Sequence, residues 1–175
     1  KAIVVNLFAG PGSGKSTAMA GIFLKLKLRE IVCEMAPEFS KDLIWDERFG
    51  EFDNQAYLLG NQIQRLRRLE KKVDVIITDA PLLLTSVYNT NGDPALNQVA
   101  LNEFNRYTNL NYFLVRQKKY SEIGRIHKED EAKALDEAIL KMLEDNKIVY
   151  SRLPSTESMM DDIVHDILNN IIYRN

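Results

Sequence analysis

The chain is short of the residues that staple, span or unfold a polypeptide. It has one cysteine, Cys33, so an internal disulfide is impossible, and with two histidines no Cys/His spacing suits zinc. No apolar run approaches the roughly 20 residues that cross a bilayer, and the apolar start at Ala2 is broken by Asn6 and then by glycines. Eight glycines and five prolines in 175 residues exclude collagen-like and low-complexity chains. The net charge of −2, from 23 Lys and Arg against 25 Asp and Glu, excludes a uniformly basic nucleic-acid coat but leaves room for local basic patches. A cytoplasmic protein without a membrane partner is the expectation.

What is present is a 45% hydrophobic composition, enough for a real core, arranged as Val- and Ile-rich runs alternating with segments of helical period. Strands are expected at Ala2–Phe8, Glu30–Met35, Val73–Thr78, Tyr112–Val115 and Lys147–Ser151. Helices are expected at Lys15–Leu28, Glu38–Trp45, Asn54–Lys72, Pro94–Asn105, Lys128–Asp145 and Glu157–Tyr173, with Asp53, Asp93 and Thr156 at helix starts. Continuous rather than alternating apolarity in the first and third strands points to strands covered on both faces. The fold class is therefore α/β, a doubly wound five-stranded parallel sheet flanked by helices. No repeat, linker or charge shift divides the chain, so residues 1–175 read as a single domain.

The strongest motif is Ala9-Gly10-Pro11-Gly12-Ser13-Gly14-Lys15-Ser16-Thr17, placed between the first strand and the first helix. It fits the phosphate-binding loop, apart from Ala9 at the first glycine position. Gly10, Gly12, Ser13, Gly14, Lys15, Ser16 and Thr17 are the expected nucleotide-binding residues. Glycines let backbone N–H groups curl round a phosphate, and the helix start adds positive potential. Lys15 is expected on the β- and γ-phosphates and the Ser16 hydroxyl on Mg²⁺. The third strand ends in Asp79-Ala80-Pro81, an acid at a strand end that would share the crevice with the loop. Asp79 is thus a candidate for Mg²⁺ or for orienting an attacking hydroxyl.

Two further segments bear on reaction class. After the second strand, Glu34 and Glu38 are candidate proton acceptors for an acceptor hydroxyl, Glu34 being preferred. After the fourth strand, residues 116–129 form a basic segment with Gly124 as a hinge, and read as a lid carrying Arg116 and Arg125 to the transferring phosphoryl group. His127 in this segment and His165 on the last helix are weak candidates, and Cys33 reads as a core residue. A hydrolytic motor would need additional domains, and no N-K-x-D run supports a GTPase. A nucleotide-dependent ATPase or binding module is the competing class.

Phe8 to Thr17, Glu34 with Lys41-Asp42-Leu43, Thr78 to Leu84, and Gly124-Arg125 with Glu131-Ala132 and Asp136 together resemble small P-loop kinase-like proteins often encoded by bacteriophages. Within that group the chain most resembles kinases of 5-hydroxymethyluracil bases in DNA, and more distantly nicotinamide riboside, nucleoside and nucleotide kinases. The resemblance implies a nucleoside- or nucleotide-kinase-like P-loop fold with a lid, ATP and Mg²⁺ as cofactors, and a nucleotide-type hydroxyl acceptor, DNA with a modified base among them. For a DNA acceptor, Arg65, Arg67, Arg68, Lys71 and Lys72 with Lys118, Lys119 and Lys128 would contact phosphates. Trp45, Phe49, Phe52 and Tyr57 would stack an extruded base, and Tyr88, Asn89, Asn91 and Asp93 would line its pocket. The competing reading makes these a solvated helix face, core aromatics and an ordinary polar turn.

Overall fold

The computed structural model describes residues 1–117 and 129–173. Five parallel strands form one sheet: β1 (Ile3–Phe8), β2 (Cys33–Met35), β3 (Val75–Thr78), β4 (Thr108–Val115) and β5 (Ser151–Pro154), in the spatial order β2-β3-β1-β4-β5. The helices are α1 (Lys15–Lys27), α2 (Ser40–Trp45), α3 (Gln55–Arg67), α4 (Thr85–Tyr88), α5 (Ala95–Phe104), α6 (Glu129–Asp145) and α7 (Glu157–Ile172). The α/β class and parallel sheet are as the sequence pattern indicates.

The period of two along β1 decides which helices lie where. Ile3, Val5 and Leu7 pack against Ile22 and Leu26 of α1 and Ile163 and Ile167 of α7. Val4 turns to the other face, against Leu59 and Leu66 of α3 and Ala100 of α5, and Phe8 meets Ile139 and Leu143 of α6. Both faces of the central strand are thus buried, as its continuous apolar run requires. Asn6 interrupts that run at 1% exposure, donating to the side-chain oxygens of Asn109 and Asn111 at 2.9 Å each. These partners lie on β4, which therefore begins four residues earlier than its apolar run. Polar residues join a central sheet here because they satisfy one another.

Other boundaries move for visible reasons. Glu30 has φ 59°, a left-handed exit from α1, so β2 starts at Cys33. In the Ile148-Val149-Tyr150 run, two side chains pack beside α6 while Val149 is exposed, and pairing begins only at Ser151. Two 3₁₀ turns, Phe49–Asp53 and Leu82–Leu84, and the one-turn α4 are additions to the expected elements. The cap of α3 is Asn54, whose side chain accepts from the Tyr57 N–H at 3.0 Å, and not Asp53.

Replacing Asn54 by Ala should therefore cost about 1 kcal/mol in urea denaturation, whereas Asp53→Ala should stay within about 0.5 kcal/mol. Equal losses would reject the Asn54 cap.

Candidate active site

All the chemically loaded segments leave the sheet at the carboxyl ends of its strands, the edge at which parallel sheets bind ligands. From β1 comes the glycine loop. Gly12 and Gly14 take φ 76° and 94°, conformations open to glycine, and Gly14 caps α1. Ala9 has no positive φ, so its methyl group is accommodated. The Ser13 hydroxyl donates to Gly10 O at 2.8 Å.

The loop is braced from outside. Asp136 on α6 accepts from the Gly10 N–H at 2.5 Å and pairs with Arg116 at 3.1 Å, and Arg116 donates to Pro11 O at 2.8 Å. The Ser155 hydroxyl, just past β5, donates to Ser13 O at 2.5 Å. A side chain at Gly10 would stand 2.6 Å from Ala132 O, so this glycine is needed for close approach of α6. Sequence reasoning missed Ser155 and gave Asp136 no role. Neither has a local signal, since each acts only through the loop it touches.

Lys15 donates to Ala9 O at 2.7 Å. Burial holds its ammonium below the ordinary lysine value, while Glu38 and Asp79 oppose that shift. Asp79, at the end of β3, is 2% exposed and has both oxygens engaged. Ser16 Oγ donates to Oδ2 at 2.7 Å and the Glu38 N–H donates to Oδ1 at 2.9 Å. Lys41 Nζ donates to Ser16 Oγ at 2.5 Å and lies 3.8 Å from Asp79 Oδ2.

A cavity of about 490 Å³ runs from this cluster into a chamber walled by Phe39, Ile44, Phe52, Leu58 and Tyr88. Gln55 and Thr85 add polar groups to its lining, as do Glu38 and Ser40, whose hydroxyl donates to Glu38 Oε1 at 2.6 Å. Burial, followed by the charges of Glu38 and Asp136, pushes the Tyr88 hydroxyl up to about 12.

The structure thus gathers Gly12, Gly14, Lys15, Ser16, Thr17 and Asp79 at one cavity, with Gly10, Ser13 and Arg116 behind the loop. Glu34 is elsewhere: it is not in the cavity lining, and its Oε1 accepts from the adjacent Met35 N–H at 2.9 Å. Glu38, the other candidate acid, lines the cavity. Arg125, with Gly124, His127, Lys118, Lys119 and Lys128, lies outside the described residues. Of the four aromatics proposed for stacking, Phe52 lines the cavity, Tyr57 packs edge-on to Phe39, and Trp45 and Phe49 are exposed. Arg65 pairs with Asp42, and Arg67 pairs with Glu103. Asn89 bonds to Asp93 O and Asn97, and Asp93 caps α5 at the Ala95 N–H, so this pair secures the fold. Cys33 is buried and His165 exposed.

A family model described as an AAA domain matches residues 4–159. The solved structures that share the fold include the following two. A NadR protein in complex with NR aligns with TM-score 0.67 at 15% identity, covering 93% of this chain and 50% of that one. Shikimate kinase from Aquifex aeolicus vf5 aligns with TM-score 0.53 at 20% identity, covering 97% of this chain and 98% of that one. This chain therefore spans about half the length of the NadR chain. No curated protein matches the sequence with significance. Among the described residues, no helix is long and apolar enough to cross a membrane.

The lowered Lys15 value makes a signed prediction. Between that value and 10.5 the free amine is neutral, whereas a bound polyphosphate favours the ammonium. ADP binding should take up a proton in this window and weaken as pH rises through it. Calorimetry in buffers of different ionisation heat reads the uptake directly; proton-neutral binding throughout the window would sink the placement of Lys15.

Proposed function

The chain belongs to the AAA-domain family of P-loop proteins, and on that premise we propose that it is an ATP-dependent kinase. In this reading it transfers the γ-phosphoryl group to a hydroxyl of a small, ring-bearing acceptor of the nucleoside class. The observation that carries the reading is one cavity lined both by the glycine loop and by Phe39, Phe52 and Tyr88, with the Glu38 carboxylate in the same lining. A hydrolytic switch needs room for water beside the phosphates; a chamber of this size and apolarity suits a second substrate. The two structural neighbours named above support the fold of such an enzyme, one described as a shikimate kinase and the other holding NR.

The chain's own groups divide the work. The loop amides and Lys15 bind the phosphates of ATP, and the Lys15 charge, already desolvated, meets the charge that builds on the transferring group. Glu38 is the residue we assign to accept the acceptor's proton. It lines the cavity, and its charge acts on both Lys15 and Tyr88, which supports this assignment. Phe39, Phe52 and Tyr88 hold the acceptor ring. Residues 1–175 act as one kinase unit, with about 116–129 as its lid and Arg116 and Arg125 as its arginines.

Mg²⁺ fits the donors present. Ser16 Oγ and the Asp79 carboxylate are hard oxygen ligands side by side, and Mg²⁺ commonly takes one or two protein oxygens, completing its shell with water and phosphate. When bound it supplies charge neutralisation across the phosphates. Among the described residues no cluster of three His, Cys, Asp or Glu offers a denser site.

A 5-hydroxymethyluracil base in DNA draws less support as the acceptor. Arg65 and Arg67 of the basic helix are neutralised by Asp42 and Glu103, which leaves fewer charges for a phosphate backbone. Exposed Trp45 and Phe49 near the chamber are the observation in its favour.

The test is transfer of label from γ-³²P-ATP to nucleosides, nucleoside monophosphates, nicotinamide riboside, shikimate and DNA with or without 5-hydroxymethyluracil. Label on one small hydroxyl compound is expected; label only in free phosphate would favour the ATPase reading. Lys15→Ala should slow transfer on the order of 10²-fold or more. Glu38→Gln should lower kcat by roughly 10²-fold with little change in ATP affinity, and Glu34→Gln should leave turnover near the natural level. The reverse order for the two glutamates would return the proton acceptor to Glu34.

A further inference from the structure

Lys41 belongs to neither half of that division, yet it makes the shortest contact in the cluster. The Ser16 hydroxyl has one proton, and that proton goes to Asp79 Oδ2. One of its two lone pairs takes the Lys41 ammonium at 2.5 Å, and the same ammonium stands 3.8 Å from Asp79 Oδ2. The other Asp79 oxygen is held by the Glu38 N–H. A divalent cation on Ser16 would use the second lone pair and bring another positive charge to the same oxygen and the same carboxylate, so ammonium and metal oppose each other there.

The position of Lys41 is built into the fold. Gln62 of α3 accepts from the Phe39 N–H at 2.9 Å and donates to Pro37 O at 3.1 Å. Arg65 donates to Pro37 O at 3.1 Å and pairs with Asp42. Together with the Glu38–Asp79 bond, these contacts fix residues 37–42 on both flanks, and Lys41 projects from that fixed segment into the cavity.

We propose that Lys41 is a positioning residue whose ammonium opposes the divalent cation at the Ser16–Asp79 pair. It holds the Ser16 hydroxyl and Asp79 carboxylate in register before the metal arrives, and thereby sets how much Mg²⁺ nucleotide binding requires. Without the ammonium, the anionic end of the cavity repels a metal-free polyphosphate and attracts free metal more strongly. The inference rests on the kinase reading for its nucleotide, and on the Ser16–Asp79 pair for its metal.

The experiment is a Mg²⁺ titration, at constant ionic strength, of the full chain with fluorescent N-methylanthraniloyl-ADP, which binds without turnover. Lys41→Met keeps most of the alkyl stem and removes the charge; with its side chain 47% exposed, Lys41 tolerates the change without loss of fold. In the variant the Mg²⁺ concentration for half-saturation should fall roughly tenfold, the scale of one charge-assisted hydrogen bond. Affinity for the labelled ADP in EDTA should weaken by a similar factor. Lys41→Arg, which keeps the charge, should lie near the natural chain in both readouts. An unchanged or raised Mg²⁺ requirement in Lys41→Met would overturn the inference while leaving the kinase reading intact. Failure of the natural chain to bind the labelled ADP with Mg²⁺ would overturn both.

Discussion

The site is organised around a carboxylate that has almost no water. Asp79 is 2% exposed, and a buried carboxylate is tolerable only if its oxygens are met by donors. The donors come from two other parts of the chain: the Ser16 hydroxyl from the first turn of α1 and the Glu38 N–H from the segment after β2. One side chain thereby joins β3, the phosphate loop and the acceptor-side wall. Separating any of them leaves a charge stranded, so the donor and acceptor halves of the cavity keep their spacing.

The phosphate loop has a corresponding outer support, supplied by the opposite half of the sheet. Arg116 follows β4, Ser155 follows β5, and Asp136 lies on α6, and all three engage backbone groups of residues 10–13. The close approach of Ala132 O to Gly10 makes α6 and the loop move together. Arg116 and α6 are also the two described flanks of the segment read as a lid. The loop is therefore tied to described residues on both sides of that segment in the chain.

Much of this was legible in the sequence because it is local. The phosphate loop needs its glycines, lysine and serine in a fixed order between a strand and a helix, and Asp79 is marked by the apolar strand it ends. The parallel sheet followed from runs such as Val75–Thr78 that are buried on both faces. What was hidden depends on partners distant in the chain. Asn6 reads as a break in an apolar run until Asn109 and Asn111 are beside it. Ser155 and Lys41 look like ordinary polar residues until the loop is folded against them. Glu34 and Glu38 are indistinguishable by type, and only the end of β2 at Met35 separates them: Glu34 is held in the strand, while Glu38 lies beyond it at the cavity.

The electrostatics of the cluster are those of a site made for an anion it has yet to receive. Desolvation of Lys15 is unfavourable in the free protein, and Glu38 and Asp79 offset it only in part. A polyphosphate entering the loop supplies the missing counter-charge where the donors are already aimed, so little reorganisation is needed at the moment of reaction. The same economy applies to Lys41, which neutralises Asp79 and orients Ser16 at no cost in flexibility because residues 37–42 are fixed by Gln62 and Arg65. Arg65, which the sequence offered as a contact for a nucleic acid, is engaged inward in that support. The positive charge of α3 facing the cavity segment thus serves the geometry of the site.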